Sequence, residues 1–348
     1  MLLRLLRSAF QPRSEATPLL QRALDLRDRG RLADAEVVLR AAVNEHPHNA
    51  MAATNLAVAL LEQDKGDEAV ALLERAIAAD PTCAAAHFNY ANVLRVSGRL
   101  RDAIVHYAAA KSADARFSAA PEQLMHTQLE ACAWDGAEAV AGELRAKVVQ
   151  SAAAEWMPFI SPLTAVYLGL SDDEAKAVAT YHAHLVAAPD ARASRPLLPE
   201  RAPGARIHIA YFSRDFRDHP VGHLLQGIFS LHDRKRFEVS VFSCGPDDKS
   251  VYRSAIANSA DRFVDVARQN DEEAAQSIAN SGVDVLVDLM GHTTGNRLGV
   301  LSRRPARVQS HYLGYAATTG ARYIDYFVSD HIVTPAHNQS AFTEQIAY

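Results

Sequence analysis

The chain has 348 residues, of which 49% are hydrophobic and 22% charged, with a formal net charge of −5 at pH 7. That length exceeds one ordinary domain and that balance is globular, which excludes a mainly disordered, collagen-like or mini-protein chain. With 36 Lys and Arg against 41 Asp and Glu, no dominant nucleic-acid or anionic-membrane surface is expected.

The first residues, 1–15, read as a separate N-terminal segment. Arg4 and Arg7 break its apolar stretch and no small-residue cleavage site follows, so no signal peptide is expected. No window reaches the roughly 18 uninterrupted apolar residues of a membrane span, and no membrane partner is expected. Cys83, Cys132 and Cys244 lack metal-ligand spacing, and an odd number argues against a disulfide framework. A reducing, cytoplasmic location follows.

Residues 16–151 repeat. Pro47 and Pro81 lie 34 residues apart, with Ala115 in the next equivalent place. The same step relates Ala23, Ala57 and Ala91; Ala35, Ala69 and Ala103; Leu39, Leu73 and Tyr107; and Ala42, Ala76 and Ala110. Small residues recur where helices cross closely, a larger one fills the adjoining gap, and proline ends the second helix. Glycine turns are expected at Gly30, Gly66 and Gly98. The pattern resembles the tetratricopeptide repeat, in units near 16–49, 50–83 and 84–117, with a weaker fourth unit carrying Ala137. Such units stack into a superhelix with a concave binding face. Asn55 and Asn89 stand one period apart, and either hydrogen-bond the backbone of an extended peptide or tie neighbouring helices together.

Residues 152–186 read as a helical extension carrying the superhelix onward. A linker or surface strap with four prolines and no helical period follows at 187–205.

From residue 206 the period changes. Apolar, β-rich runs at 207–213, 237–243, 283–290, 307–315 and 323–330 alternate with helical stretches near 221–232, 250–260 and 271–281. This predicts an α/β lobe with a parallel, Rossmann-like sheet, whose ligands sit beyond the carboxyl ends of its strands. The loop after the first strand has no GxGxxG and gathers Asp215, Asp218, His219 and His223 before a helix that Pro220 can start. Imidazole titrates near neutrality, so His219 is a candidate general base, or else a capping or loop histidine. His219 and His223 have the spacing of a metal pair but lack the glutamate of HExxH, and no metal is expected. Asp288 ends a buried strand, where it needs a partner that His292 or a loop amide can supply. The loop 314–320, with Tyr315, Thr318 and Thr319, can cradle a phosphate or sugar, or is an ordinary turn.

Repeats followed by RIHIAYFSRDFRDHPVGHLLQGIF and then VDVLVDLMGHTTGNRLGVLSRRPARVQSHYLGYAATTGARYIDYFVSD closely resemble the O-linked N-acetylglucosamine transferase and SPINDLY family. The resemblance implies a tetratricopeptide superhelix joined to a GT-B glycosyltransferase, of which residues 206–348 form the first Rossmann-like lobe. It implies inverting, metal-independent transfer of a sugar to Ser or Thr of proteins, without a cofactor. The donor is a nucleotide sugar, UDP-GlcNAc foremost, and the acceptor protein or peptide lies on the concave face of the repeats. Carried over by position, His219 is the base or substrate-orienting histidine of the first loop, while Asp288 and His292 line the cleft. Asp215, Tyr315, Thr318 and Thr319 contact substrate, and Ala316 and Ala317 replace the family's Pro-Gly. The family's donor-binding second lobe does not follow within these residues, so the chain alone is expected to be inactive. A GDP-fucose-dependent transferase of SPINDLY type and a non-catalytic repeat adaptor with a relic lobe are the rival readings.

Overall fold

The computed structural model describes residues 18–115, 117, 119–152, 160–187, 196–200 and 202–348. The expected N-terminal segment 1–15 lies outside them, as do residues 188–195 and 201 of the expected linker. The described residues divide into two compact units, 18–151 with Ile160 and 161–348 with Ala152.

The first unit is a run of helices: α1 (Pro18–Asp28), α2 (Leu32–Glu45), α3 (Ala50–Leu61), α4 (Gly66–Ala79), α5 (Ala84–Val96), α6 (Leu100–Ala113), α7 (Ala119–Glu130) and α8 (Trp134–Ala152). Each helix from α1 to α6 packs on the next. The repeating columns form the seams. Ala35, Ala42, Ala57, Ala69, Ala91, Ala103 and Ala110 are fully buried, as are Leu73 and Tyr107. A methyl group at these crossings lets backbones approach, and no larger side chain would fit without displacing the partner helix. Met125, Ala137, Ala141 and Leu144 continue the same columns into α7 and α8, all buried.

The turns inside the repeats differ from expectation at one place. The left-handed residue recurs every 34 positions, at Gly30 (φ 73°), Asp64 (φ 60°), Gly98 (φ 76°) and Cys132 (φ 55°). Gly66 is not that turn; it opens α4. Ion pairs cross between repeats, from Arg40 to Glu68 at 2.5 Å and from Lys65 to Glu36 at 2.7 Å. Hydrogen bonds from Lys65 and Arg40 hold the Glu36 carboxyl at about 2, against the opposing effect of its desolvation.

The second unit is built on a seven-stranded sheet: β1 (Ile207–Ser213), β2 (Phe237–Ser243), β3 (Arg262–Asp265), β4 (Val285–Asp288), β5 (Val308–Tyr312), β6 (Tyr326–Val328) and β7 (Gln345–Ala347). The order is β3-β2-β1-β4-β5-β6-β7, and every pairing is parallel. Side chains alternate across it. Ala210, Phe212, Phe242 and Leu286 enter one apolar layer, while Tyr211, Val239, Val241 and Val287 enter the other. The helices of this unit are α9 (Pro162–Tyr167), α10 (Asp172–Val186), α11 (Pro220–Leu225), α12 (Val251–Ser259), α13 (Asp271–Asn280) and α14 (Leu298–Ser302). Ser171 and Glu174 form a reciprocal cap on α10, and Asn270 and Glu273 do the same on α13.

Helices α9 and α10, expected to extend the superhelix, belong to this sheet unit. Ala183 lies in its core, and Lys176 on α10 donates to the carbonyls of Ser340 and Phe342 at 2.9 and 3.0 Å. The apolar runs expected as strands all contain one, though several are shorter. Strands β3 and β7 and helix α14 were not legible, being of three to five residues, too short for a period to show.

Candidate active site at the mouth of the sheet

The chain runs outward from β1 in both directions, to β2 and β3 on one side and to β4 through β7 on the other. The loops after β1 and β4 therefore part where strand order reverses, which is where ligands bind in open parallel sheets. Both loops carry predicted site residues, and they touch: the Arg214 amide donates to Met290 Sδ at 3.3 Å.

After β1, Ser213 Oγ accepts from the Asp215 amide at 3.0 Å and turns the chain. Asp215 is 6% exposed, with Arg217 3.5 Å and His219 Nε2 3.9 Å from its Oδ1. His219 caps α11: its backbone is extended (φ −158°, ψ 148°), and Nδ1 accepts from the Val221 amide at 3.2 Å. Pro220, whose missing N–H costs nothing at a first helical position, sets this geometry. An amide can only donate, so Nδ1 carries no proton and the neutral ring has its proton on Nε2. The side chain is 34% exposed, and its Nε2 edge faces Asp215. His223 points elsewhere, its Nε2 donating to Asp218 Oδ1 at 2.7 Å and its ring lying 4.1 Å from that of Tyr252, tilted by 37°.

The β4 and β5 loops form a second cluster, and here the structure gives the predicted residues other occupations. Asp288 does not open on the cleft. It is fully buried, its Oδ1 accepts from Met290 N at 3.3 Å, and its Oδ2 accepts from Gly291 N at 2.7 Å. Of the two partners expected, the loop amides are present and His292 is not; a third, His311, has its Nδ1 3.0 Å from Asp288 Oδ2. His292 is 3% exposed and reaches the next loop, its Nε2 donating to the Thr319 carbonyl at 2.6 Å. Burial pushes its pKa down to about 4, so the ring is neutral at pH 7.

Thr318 and Thr319 are likewise turned inward. Their hydroxyls both donate to the carboxylate of Glu344, Thr318 Oγ1 at 2.6 Å, and the Thr319 amide adds a bond at 2.7 Å. Glu344 is 2% exposed, so these donors satisfy a buried carboxylate. Tyr315, also buried, donates its hydroxyl to the Pro162 carbonyl at 3.0 Å, and burial raises its pKa. Sequence reading missed His311 and Glu344. The signal for His311 was a histidine inside a short apolar strand; Glu344 gave none.

In the repeat unit, Asn55 on α3 and Asn89 on α5 are both buried. Asn89 Nδ2 donates to Ala85 of its own helix at 2.8 Å, and Asn55 Nδ2 is enclosed without a hydrogen-bond partner. Among the described residues no group of three or more His, Cys, Asp or Glu is placed to hold a metal, and no helix is long and apolar enough to cross a membrane.

A family model described as glycosyl transferase family 41 matches residues 131–348, and a tetratricopeptide repeat model matches 26–87 and 60–120. The chain is 38% identical over 146 residues to the UDP-N-acetylglucosamine–peptide N-acetylglucosaminyltransferase of Caenorhabditis elegans, covering 42% of this chain and 13% of that one. It is 28% identical over 233 residues to the probable enzyme of that name, SEC, from Arabidopsis thaliana, covering 65% of this chain and 24% of the relative. An O-GlcNAc transferase variant from Thermobaculum terrenum aligns in structure over 99% of this chain and 57% of its own, at 25% identity and a TM-score of 0.54. The chain thus spans a quarter or less of these two curated relatives. Repeats leading into a parallel sheet, with more than half of all residues inside one family model, place the chain in glycosyl transferase family 41.

Proposed function

We propose that the protein moves N-acetylglucosamine from UDP-GlcNAc to serine or threonine hydroxyls of a protein acceptor. The acceptor oxygen bonds to the anomeric carbon from the face opposite the nucleotide, the bond from that carbon to the phosphate oxygen breaks, UDP leaves, and the hydroxyl proton passes to water. Inversion at the sugar follows from the single displacement, which needs neither a metal nor a cofactor.

The observation that carries this reading is His219, held on the N-terminus of α11 at the strand-order reversal with its side chain partly exposed. With Nδ1 committed to the Val221 amide, Nε2 is a donor, which favours orienting a substrate oxygen over accepting a proton. The relatives named as UDP-N-acetylglucosamine–peptide transferases support both the donor and a peptide acceptor. The repeats are read as the acceptor-holding part. Because Asn55 and Asn89 are buried, they would reach a peptide only after their amides turn outward.

The test is transfer of labelled sugar to a Ser/Thr peptide from UDP-GlcNAc and, in parallel, from GDP-fucose, by the protein assayed with a donor-binding second lobe present. Transfer from UDP-GlcNAc is expected, and His219→Ala should lower kcat by about 10²-fold with acceptor affinity within about twofold. Transfer from GDP-fucose alone would reassign the donor, and transfer from neither would overturn the reading.

A further inference from the structure

We propose that His311 is a positioning residue of the transfer site: a buried imidazolium, held between the Asp288 carboxylate and the Tyr315 carbonyl, that clamps the loop after β4 to the loop after β5. The clamp rests on the transferase reading only for its effect on turnover; its charge and its grip on the loops stand on geometry alone.

The ring of His311 is fully buried and both its nitrogens are engaged. Nε2 lies 2.9 Å from the Tyr315 carbonyl oxygen, which can only accept, so Nε2 carries a proton. Nδ1 lies 3.0 Å from Asp288 Oδ2, which already receives the Gly291 amide at 2.7 Å, while Oδ1 receives the Met290 amide at 3.3 Å. Two amide donors stabilise the ionised carboxylate, so the proton between the two side chains belongs to Nδ1. A ring with two N–H groups is a cation. Its field agrees: desolvation opposes the charge, but Asp288, Tyr315 and Glu344 together outweigh it and raise the pKa of His311. The other groups around it are the neutral ring of His292, whose own pKa His311 helps to lower, the Tyr315 ring at 6.3 Å and the Phe327 ring at 5.5 Å.

The two loops meet here with no room to spare. Gly291 has φ 52°, and a Cβ on it would stand 2.7 Å from Tyr315 Cβ and 2.9 Å from His311 Cε1. A Cβ on Gly314 would stand 1.8 Å from the Leu289 carbonyl oxygen. Close backbone approach brings the loops together, and the Asp288–His311 pair fastens them from inside. The β4 loop so fixed carries His292, and the β5 loop carries the Thr319 carbonyl that His292 grips. An uncharged side chain in place of His311 leaves Asp288 as a buried carboxylate without its cation.

Histidine-selective nitrogen NMR on the wild-type protein reads the charge, with His311 assigned through contacts of its ring with Phe327 and Tyr315. Two protonated ring nitrogens at pH 7.5 are expected; one unprotonated nitrogen there would overturn the imidazolium. In His311→Gln, amide exchange in 289–293 and 313–320 should quicken on the order of tenfold while β1 and β2 are unchanged, and unchanged loops would overturn the clamp. For turnover, the same variant should lose about tenfold in kcat with KM for donor and acceptor within about twofold. The wild-type alkaline limb set by His311 should also be absent from the variant. A variant with wild-type kcat and pH profile would remove His311 from positioning. If wild type transfers no sugar, the function proposed above fails, while the NMR and exchange results still decide the clamp.

Discussion

His292, on the loop after β4, and His311, in strand β5, are 3% and 0% exposed, yet burial acts on them in opposite company. Desolvation takes His292 down to a pKa of about 4, with His182 and His311 adding to the effect against the Thr319 carbonyl, while the Asp288 carboxylate beside His311 outweighs desolvation and raises its pKa. The two groups therefore push stability in opposite directions with pH. The folded pKa of His292 lies below its unfolded value of about 6.5, so the unfolded chain binds the proton first as pH falls. Its contribution is lost from about pH 6.5 down to about pH 4 and amounts to about 3 kcal/mol over that window. His292→Gln keeps an N–H for the Thr319 carbonyl and cannot titrate. Its urea midpoint should fall less steeply than wild type between pH 6.5 and 4.5; parallel curves would show that His292 titrates normally. His311 has the opposite sign: its folded pKa is raised, so its contribution is complete below the unfolded pKa and is lost as pH rises through the folded value.

At the scale of elements, the repeat turn is defined by a backbone angle and only loosely by residue type. Gly30 and Gly98 occupy the left-handed position at no steric cost, but Asp64 and Cys132 hold it too. Aspartate tolerates that region because its short polar side chain bonds locally, whereas cysteine has no such help. Cys132→Gly should therefore stabilise the protein by about 1 kcal/mol, and Asp64→Gly by less. Thermal denaturation of the two variants checks the order, and a destabilised Cys132→Gly would mean that the exposed thiol makes a contact worth more than the strain. Taking Gly66 as the second turn was a natural reading, since composition shows glycine and does not show φ. The register of 34 was the better guide, because it names position 64 whatever residue stands there.

For the whole molecule, nearest-neighbour packing in the repeats has a consequence for length. Each helix from α1 to α6 packs on the next, and the buried columns recur in register, so one unit can be removed without shifting the faces of the others. Deleting residues 50–83 should leave a folded chain with proportionally less helical circular dichroism and lower repeat stability. Loss of cooperative unfolding altogether would show that the units are not interchangeable. The sheet unit allows no such excision, because its order interleaves strands distant in the chain.

That contrast separates what the sequence determined from what the tertiary structure decided. The 34-residue columns, the change of period near residue 206, the strand-bearing runs and the cap before Pro220 were all legible. Each depends on side chains a few residues or one repeat apart, and local backbone geometry imposes their spacing. His219 belongs with them, since a histidine before a proline at a strand end is placed by its own neighbours. Asp288, Thr318 and Thr319 were found but their buried partners were not, because exposure is not written in a residue or its flanks. What occupies them is His311, 23 positions beyond Asp288, and Glu344, 25 and 26 beyond the threonines. Parallel strands and their loops bring those groups together only when the sheet has formed. In a water-free interior each buried charge must then find its donors, and no period in the chain records which ones it finds.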